Sequence, residues 1–331
     1  MLALPKGKAF SGFRPLDVGR DIGQIVQLIE VAFQGELSPA GDEALRELRL
    51  MRYLAPLLWL LSRISPEFRD LLTGYVWVDE GLVVGNVTLS MDSPDARRWV
   101  ISNVAVHPRY RRRGIARKLM EAAIALARRR GGELVTLRVR RANLAAQNLY
   151  RSLGFTEFES IMELRLEQIR RTVSRPTEGL QLRRAKLEEW WKAYELARAA
   201  IPPKAQRLSP VRQADYRFGL DRRLETWLSD LIHWRDTYRL AVEGDEGFAA
   251  LLTLHATRLR SPHRIELMVH PHYRGPLEEA LVAEALSILR RYPQRQVVAR
   301  VRLPHPEAVE ALKRCGFVEV ETIDRLGLEL R

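Results

Sequence analysis

The chain has 331 residues, 46% of them hydrophobic, enough for two domains with cores of ordinary size. Its single cysteine, Cys315, excludes an intrachain disulfide and a zinc site built on cysteines, and such usage suits a reducing cytoplasm. The 54 Lys and Arg against 41 Asp and Glu leave a net charge of +13, which favours acidic ligands (phosphates, nucleic acid or an anionic surface) without choosing among them.

Taken in chain order, residues 1–8 lack the apolar core and cleavage site of a secretory signal. A strand is predicted near 10–16 and a helix near 22–33. A helical region follows at 42–61. Its apolar end, 54–61, is too short to span a bilayer and contains Pro56, so it reads as a buried or pocket-lining segment. Strands are expected at 74–79 and 82–91, joined by a turn at Glu80-Gly81, and then at 98–106.

The next stretch is the most informative. The apolar strand ending in Val104, Ala105 and Val106 enters a basic turn, His107 to Gly114, and the turn enters a helix. Ile115, Leu119, Ala122, Ala123 and Leu126 recur at helical spacing, and Arg128, Arg129, Arg130 and Gly131 close the helix. Gly114 and Ala116 lack the side chains that would hold a ligand away from the backbone. Amides converging at a helix N-terminus make an anion site, suited to phosphate or pyrophosphate. Neither the Walker pattern nor Gly-x-Gly-x-x-Gly is present. A strand at 134–140 comes next. Asn143 then caps a short helix ended by Gly154, with Ala146, Leu149, Tyr150 and Leu153 on one face, and a strand near 157–166 completes this half.

Two motifs, Arg111-x-x-Gly114-x-Ala116 and Asn143-x-x-Ala146-x-x-Leu149-Tyr150-x-x-x-Gly154-Phe155, occur in this order. Together they resemble the GNAT superfamily of acyl-CoA-dependent N-acyltransferases. The resemblance covers residues 10–165 well and the remainder faintly. It implies a mixed α/β fold, not a doubly wound parallel sheet, with acetyl-CoA as cosubstrate and no metal.

The chain also repeats itself. Val106-His-Pro-Arg-Tyr-Arg111 recurs as Val269-His-Pro-His-Tyr-Arg274, and Leu153-Gly-Phe155 as Cys315-Gly-Phe317. Arg14-Pro-Leu-Asp17 has a counterpart near Arg183-Arg-Ala-Lys186. Two tandem GNAT-like domains are expected: 1–170 with intact acyl-CoA motifs, a linker at 171–180, and a degenerate copy at 181–331. In the second copy Pro276 removes an amide donor, Glu278 and Glu279 would repel a pyrophosphate, and His305 and Leu312 replace Asn143 and Tyr150. That copy is expected to serve as scaffold, dimer surface or a wall of the substrate site.

The resemblance also assigns roles. Main-chain groups of Val104, Ala105 and Val106 would hold the pantetheine arm as an added strand. The amides around Arg111, Arg112, Arg113, Gly114, Ile115, Ala116 and Arg117 would hold the pyrophosphate, and Asn143 the cofactor arm. Tyr150 would protonate the leaving thiolate. N-terminal acetylating relatives often carry a Glu where this chain has Arg138. Arginine accepts no proton, so Arg138 would bind an acidic group of the acceptor or lie in solvent. Asn103 would orient the amine or a water. His107 is a candidate base by residue type, but the retention of His270 favours a structural turn.

The expected activity is N-acetyl transfer to a primary amine of a small molecule or peptide. The alternative is a non-catalytic CoA-binding sensor or scaffold. Nucleic acid is not expected as a partner, no membrane span is expected, and a homodimer is left open.

Overall fold

The structure is a computed structural model and describes residues 10–33, 73–92, 97–169, 181–217, 234–259 and 261–330. The apolar run at 54–61 and the linker at 171–180 lie outside the described residues. Contacts divide the chain into two units that interleave in sequence. The first holds residues 1–138, 145–156 and 326–331; the second holds 139–144 and 157–325.

In the first unit the strand order is β1 (Gly12–Pro15), β2 (Thr73–Asp79), β3 (Leu82–Met91), β4 (Arg98–Val106), β5 (Leu134–Arg140). All neighbours are antiparallel except β4 and β5, which run parallel. Helix α1 (Val18–Ala32) starts four residues before its predicted position because the Asp17 carboxylate accepts the Gly19 and Arg20 N–H groups. Ile25, Leu28, Ile29 and Ala32 of α1 pack on Val76, Val78, Val83 and Ala105.

Helix α2 (Ile115–Arg129) buries Ile115, Leu119, Met120, Ala123, Ile124 and Ala127. Ala122 and Leu126, expected on this face, are only half-buried, because the stripe is centred about one residue later than the apolar pattern suggested. The helix lies close on β3 at Gly85. A Cβ there would meet Ile115 Cγ2 at 2.9 Å, Leu119 Cδ1 at 3.1 Å and Trp77 Cβ at 3.2 Å. Helix α3 (Leu144–Ser152) follows β5 and buries Gln147 and Tyr150.

The second unit is a mixed sheet in the order β6 (Thr156–Leu166), β11 (Val297–Leu303), β10 (His263–Val269), β9 (Phe248–Thr257), β8 (Arg235–Glu243), β7 (Leu182–Arg184). The parallel pair is β10 and β11. Strand β6, which follows α3 in sequence, pairs antiparallel with β11 along its length, so its residues from Glu157 onward count with this unit. Strand β12 (Val318–Glu329) lies on the other side of β6, and its last residues, from Leu326, count with the first unit. Helices α4 (Trp190–Ala200), α5 (Pro203–Leu208), α6 (Gln213–Tyr216), α7 (Glu278–Leu289) and α8 (Pro306–Arg314) complete it. Leu281, Leu286 and Leu289 of α7 pack with Leu252, Leu254 and Ile265 in its core. Cys315 is half-buried, and burial, reinforced by Glu279, pushes its thiol up.

The sequence repeat reappears as repeated hydrogen bonds. Arg14 clasps Asp21 through two bonds of 2.7 and 2.6 Å, and Arg183 clasps Glu189. Tyr110 donates to Asp79 at 2.8 Å, as Tyr273 does to Asp245 at 2.7 Å. Arg111 donates to Ala32 O at 2.7 Å, and Arg274 to Ala200 O at 3.3 Å.

Gly85→Ala is expected to lower stability by about 1–3 kcal/mol, because the neighbours of the added methyl belong to a packed helix face. A urea midpoint equal to wild type would show that α2 can move off β3 freely.

Candidate functional site

The site is built on the second half of β4. From Asn86 to Thr88, β3 advances two residues while β4 advances three, from Ala105 back to Ser102. The extra residue makes a β-bulge, and Asn103 takes a left-handed φ of 52° there. Asn86, fully buried beneath it, donates Nδ2–H to Asn103 O at 2.8 Å. Thr88 Oγ1 lies 3.4 Å from Asn86 Nδ2 and 3.5 Å from Asn103 Nδ2.

Strands β4 and β5 pair only at Arg98 with Leu134, Trp99 with Val135 and Val100 with Thr136. Beyond that point they separate. His107 N–H donates to Val84 O at 2.9 Å, so by alternation Ala105 faces β3 with its main-chain groups, while Val104 and Val106 face the side that β5 has left. Among the described residues no strand pairs with that side, which is an open strand edge.

The basic turn continues from this edge. His107 Nδ1 accepts the Arg109 N–H at 3.3 Å, and His270 Nδ1 accepts that of His272 at 3.3 Å, so both histidines serve as turn caps. The Arg111 guanidinium is committed to main chain, donating to Ala32 O and, at 3.4 Å, to Val106 O; it ties the turn to α1 and β4. Arg113 lies over the Tyr110 ring at 4.9 Å. Arg117 donates to Ser152 Oγ at 2.6 Å. Arg112 and Gly114 both take left-handed φ, 68° and 74°.

Gly114 is the N-cap of α2 and offers no side chain to the first-turn amides. A Cβ at Gly114 would meet nothing within 4 Å, so space lies open in front of it. The N–H groups of Ile115, Ala116 and Arg117 have no acceptor within the helix. These open amides, the positive end of α2 and the nearby arginines fit a diphosphate.

The other predicted residues are distributed as follows. Tyr150 lies on α3 in the first unit, buried at 6% exposure against the edge of Phe155. Burial pushes its phenol up to about 12. The phenol would ordinarily stand within about two units of a thiol, and burial widens that gap; a thiolate leaving in the same dry surroundings is made more basic by the same cause. Arg138 is exposed on β5. Asn143 immediately precedes α3 and donates its N–H to Arg140 O at 3.0 Å; it counts with the second unit. Among the described residues no group of three or more His, Cys, Asp or Glu could hold a metal ion, and no helix is long and apolar enough to cross a membrane.

Two features were missed in the sequence. The first is Asn86, whose only signal was a pair of polar residues, Asn86 and Thr88, at alternate positions of an apolar strand. The second lies in the eroded copy. Glu278 is not merely repulsive: it is fully buried, and its carboxylate accepts the Gly275 N–H at 2.7 Å and contacts His305 Nε2 at 2.8 Å. Burial alone would raise this carboxyl, but the bonds from His305, its own N–H and Gly275 outweigh it and hold the group below the usual carboxylate range. The turn at α7 therefore already contains an anion, supplied by its own helix. Strand β10 pairs with β9 from Arg264 to Val269 without a bulge.

The fold is shared along nearly the whole chain with a GCN5-related N-acetyltransferase from Sphaerobacter thermophilus, at a TM-score of 0.64, 17% identity and 96% coverage of both chains. It is shared also with a tandem GNAT protein from the clavulanic acid biosynthesis pathway, at 0.59, 19% identity and coverage of 96% and 98%. The chain thus has a tandem GNAT fold.

Residues 41–155 match the acetyltransferase (GNAT) family. Ribosomal protein bS18-alanine N-acetyltransferase of Escherichia coli K12 is 47% identical over 55 residues, 17% of this chain and 37% of that protein. An N-terminal acetyltransferase complex ARD1 subunit homolog of Dictyostelium discoideum is 41% identical over 73 residues, 22% of this chain and 36% of that protein. The matched region spans about a third of the length of these relatives.

Replacing Glu278 tests the internal anion. Glu278→Ala is expected to cost about 3–5 kcal/mol, since the groups around the carboxylate lose their partner. Millimolar sulfate or pyrophosphate should then raise the variant's melting temperature more than that of wild type. The folded-state carboxyl is depressed, so its stabilisation is present above about pH 4.3 and is lost as pH falls through the lower folded value. The stability gap between wild type and Glu278→Gln should accordingly narrow in acid.

Proposed function

We propose that the first unit transfers an acetyl group from acetyl-CoA to a primary amine of a small molecule or peptide. The observation that carries this reading is the continuity of β4: an unpaired strand edge at Val104 and Val106 runs directly into an amide-lined turn at Gly114. The edge suits an amide-bearing arm and the turn a diphosphate, and acyl-CoA has both in that order. The family match, the similarity to an alanine N-acetyltransferase and the similarity to a subunit homolog of an N-terminal acetyltransferase complex support the choice of an amine acceptor. We further propose that residues 1–170 and 181–331 are the two ancestral copies, with acyl-CoA bound by the first alone.

In this reading the acceptor amine attacks the thioester carbonyl directly. The C–N bond forms, the C–S bond breaks, the amine nitrogen gives up a proton and the thiolate gains one. The Val104 N–H stabilises the oxyanion. Tyr150 supplies the thiolate proton. Asn103 orients the incoming amine or a water. Arg138 binds an acidic group of the acceptor. With arginine in place of a carboxylate at 138, the amine attacks in its neutral form, and the proton that its nitrogen sheds after the C–N bond forms leaves through water.

Calorimetry should detect one CoA per chain, and free-thiol release with an amine panel should detect turnover. Absence of CoA uptake would overturn the proposal. Uptake with no turnover of any amine would instead make the chain a sensor, the reading that Arg138 favours. Gly114→Val, forced into a left-handed φ and filling the open space, should weaken CoA binding at least tenfold. Tyr150→Phe should lower kcat about 10²-fold or more with little change in KM for acetyl-CoA. Because burial holds the wild-type phenol protonated to about pH 12, kcat should rise with amine deprotonation and show no Tyr150-dependent fall up to pH 10.

A further inference from the structure

Asn86 is fully buried in a strand that is otherwise largely apolar, and its Oδ1 has no hydrogen-bond partner among the described residues. An unsatisfied buried carbonyl oxygen is unfavourable, and an apolar side chain of similar size would avoid it. What the asparagine adds is its N–H. Asn86 Nδ2 reaches Asn103 O at 2.8 Å, across the bulge, where Asn103 holds a left-handed φ of 52°. A non-glycine residue in that region needs local support.

The second copy is a natural control. The bonds from His107 N–H to Val84 O and from His270 N–H to Ala249 O bring the two copies into register. Two residues beyond Val84 stands Asn86; two residues beyond Ala249 stands Leu251. Where the leucine stands, β10 runs without a register shift and Glu266, beside its partner strand, has no left-handed φ. The buried amide and the bulge are present together or absent together.

We infer that Asn86 is a positioning residue for acyl transfer: its side-chain N–H pins the Asn103 carbonyl, and the pinned bulge turns the Val104 N–H away from β3 toward the open edge. Asn86 has no exposed surface and does not touch substrate. Its effect on chemistry passes through the direction of one main-chain amide. This inference rests on the acyl-transfer reading above.

The test is a double-mutant cycle with a structural readout. Asn86→Leu, the residue of the second copy, should lower kcat at least tenfold while leaving the calorimetric affinity for CoA within threefold, because the turn at Gly114 is untouched. Glycine adopts a left-handed φ unaided, so in an Asn103→Gly background the same substitution should cost less than threefold. Equal losses in both backgrounds, or an undiminished kcat in Asn86→Leu, would overturn the inference. Hydrogen exchange at Val104 and Ala105 reads the bulge without any turnover: Asn86→Leu should change it, and an exchange pattern identical to wild type would also overturn the inference. If wild type binds CoA but acetylates nothing, the functional reading fails, while the exchange experiment still decides whether Asn86 pins the bulge.

Discussion

Main-chain amides left without a partner are the constraint from which the site follows. A strand edge and a helix N-terminus each expose such groups, and the protein places one directly after the other. Strand β4 loses its parallel neighbour after Val100, and α2 begins with a glycine cap that offers no side-chain acceptor. Regular pairing would have satisfied the first set and an Asp or Ser cap the second. Their absence leaves polar groups that an extended amide arm and a diphosphate would satisfy.

The two copies show how little must change to close such a site. The framework bonds are retained: an arginine clasping a carboxylate at the start of α1 or α4, a tyrosine on an aspartate, a histidine capping the turn, and an arginine on the carbonyl of the last residue of α1 or α4. The second half differs from the first at a few positions. Leu251 stands where Asn86 would, β10 is regular, and the Glu278 carboxylate binds the Gly275 amide. An internal carboxylate satisfies the turn permanently, whereas an external diphosphate would do so only when bound. Stability and ligand binding thus compete for the same donors.

The basic balance of the chain is organised around individual carboxylates. Asp21 is clasped by Arg14, Glu159 lies between Arg302 and Arg325, and Asp324 receives Arg141 together with the Ser160 hydroxyl. These acids are buried, so their arginines are held by partners that would be costly to leave alone. Arg111 is likewise used, on the carbonyls of Val106 and Ala32, so its guanidinium is committed to the framework of the turn.

Local chemistry was legible from the sequence because it is written in contiguous residues. Alternation marked the β4 and β5 strands, apolar periodicity and terminal glycine marked α2, and the repeated His-Pro-x-Tyr-Arg turn marked the duplication. The small residues at Gly114 and Ala116 marked the bare first turn of α2, since open backbone appears in a sequence as missing side chains. What tertiary structure alone decided depends on residues far apart in the chain. The Asn86 amide meets the Asn103 carbonyl 17 positions away, Glu278 meets His305 at 27, and β6 pairs with β11 across more than a hundred. A bulge is one extra residue opposite a partner, and a buried carboxylate acting as an anion is defined by the donors around it. Neither has a local pattern, because each is a property of a pairing and exists only once both partners are in place.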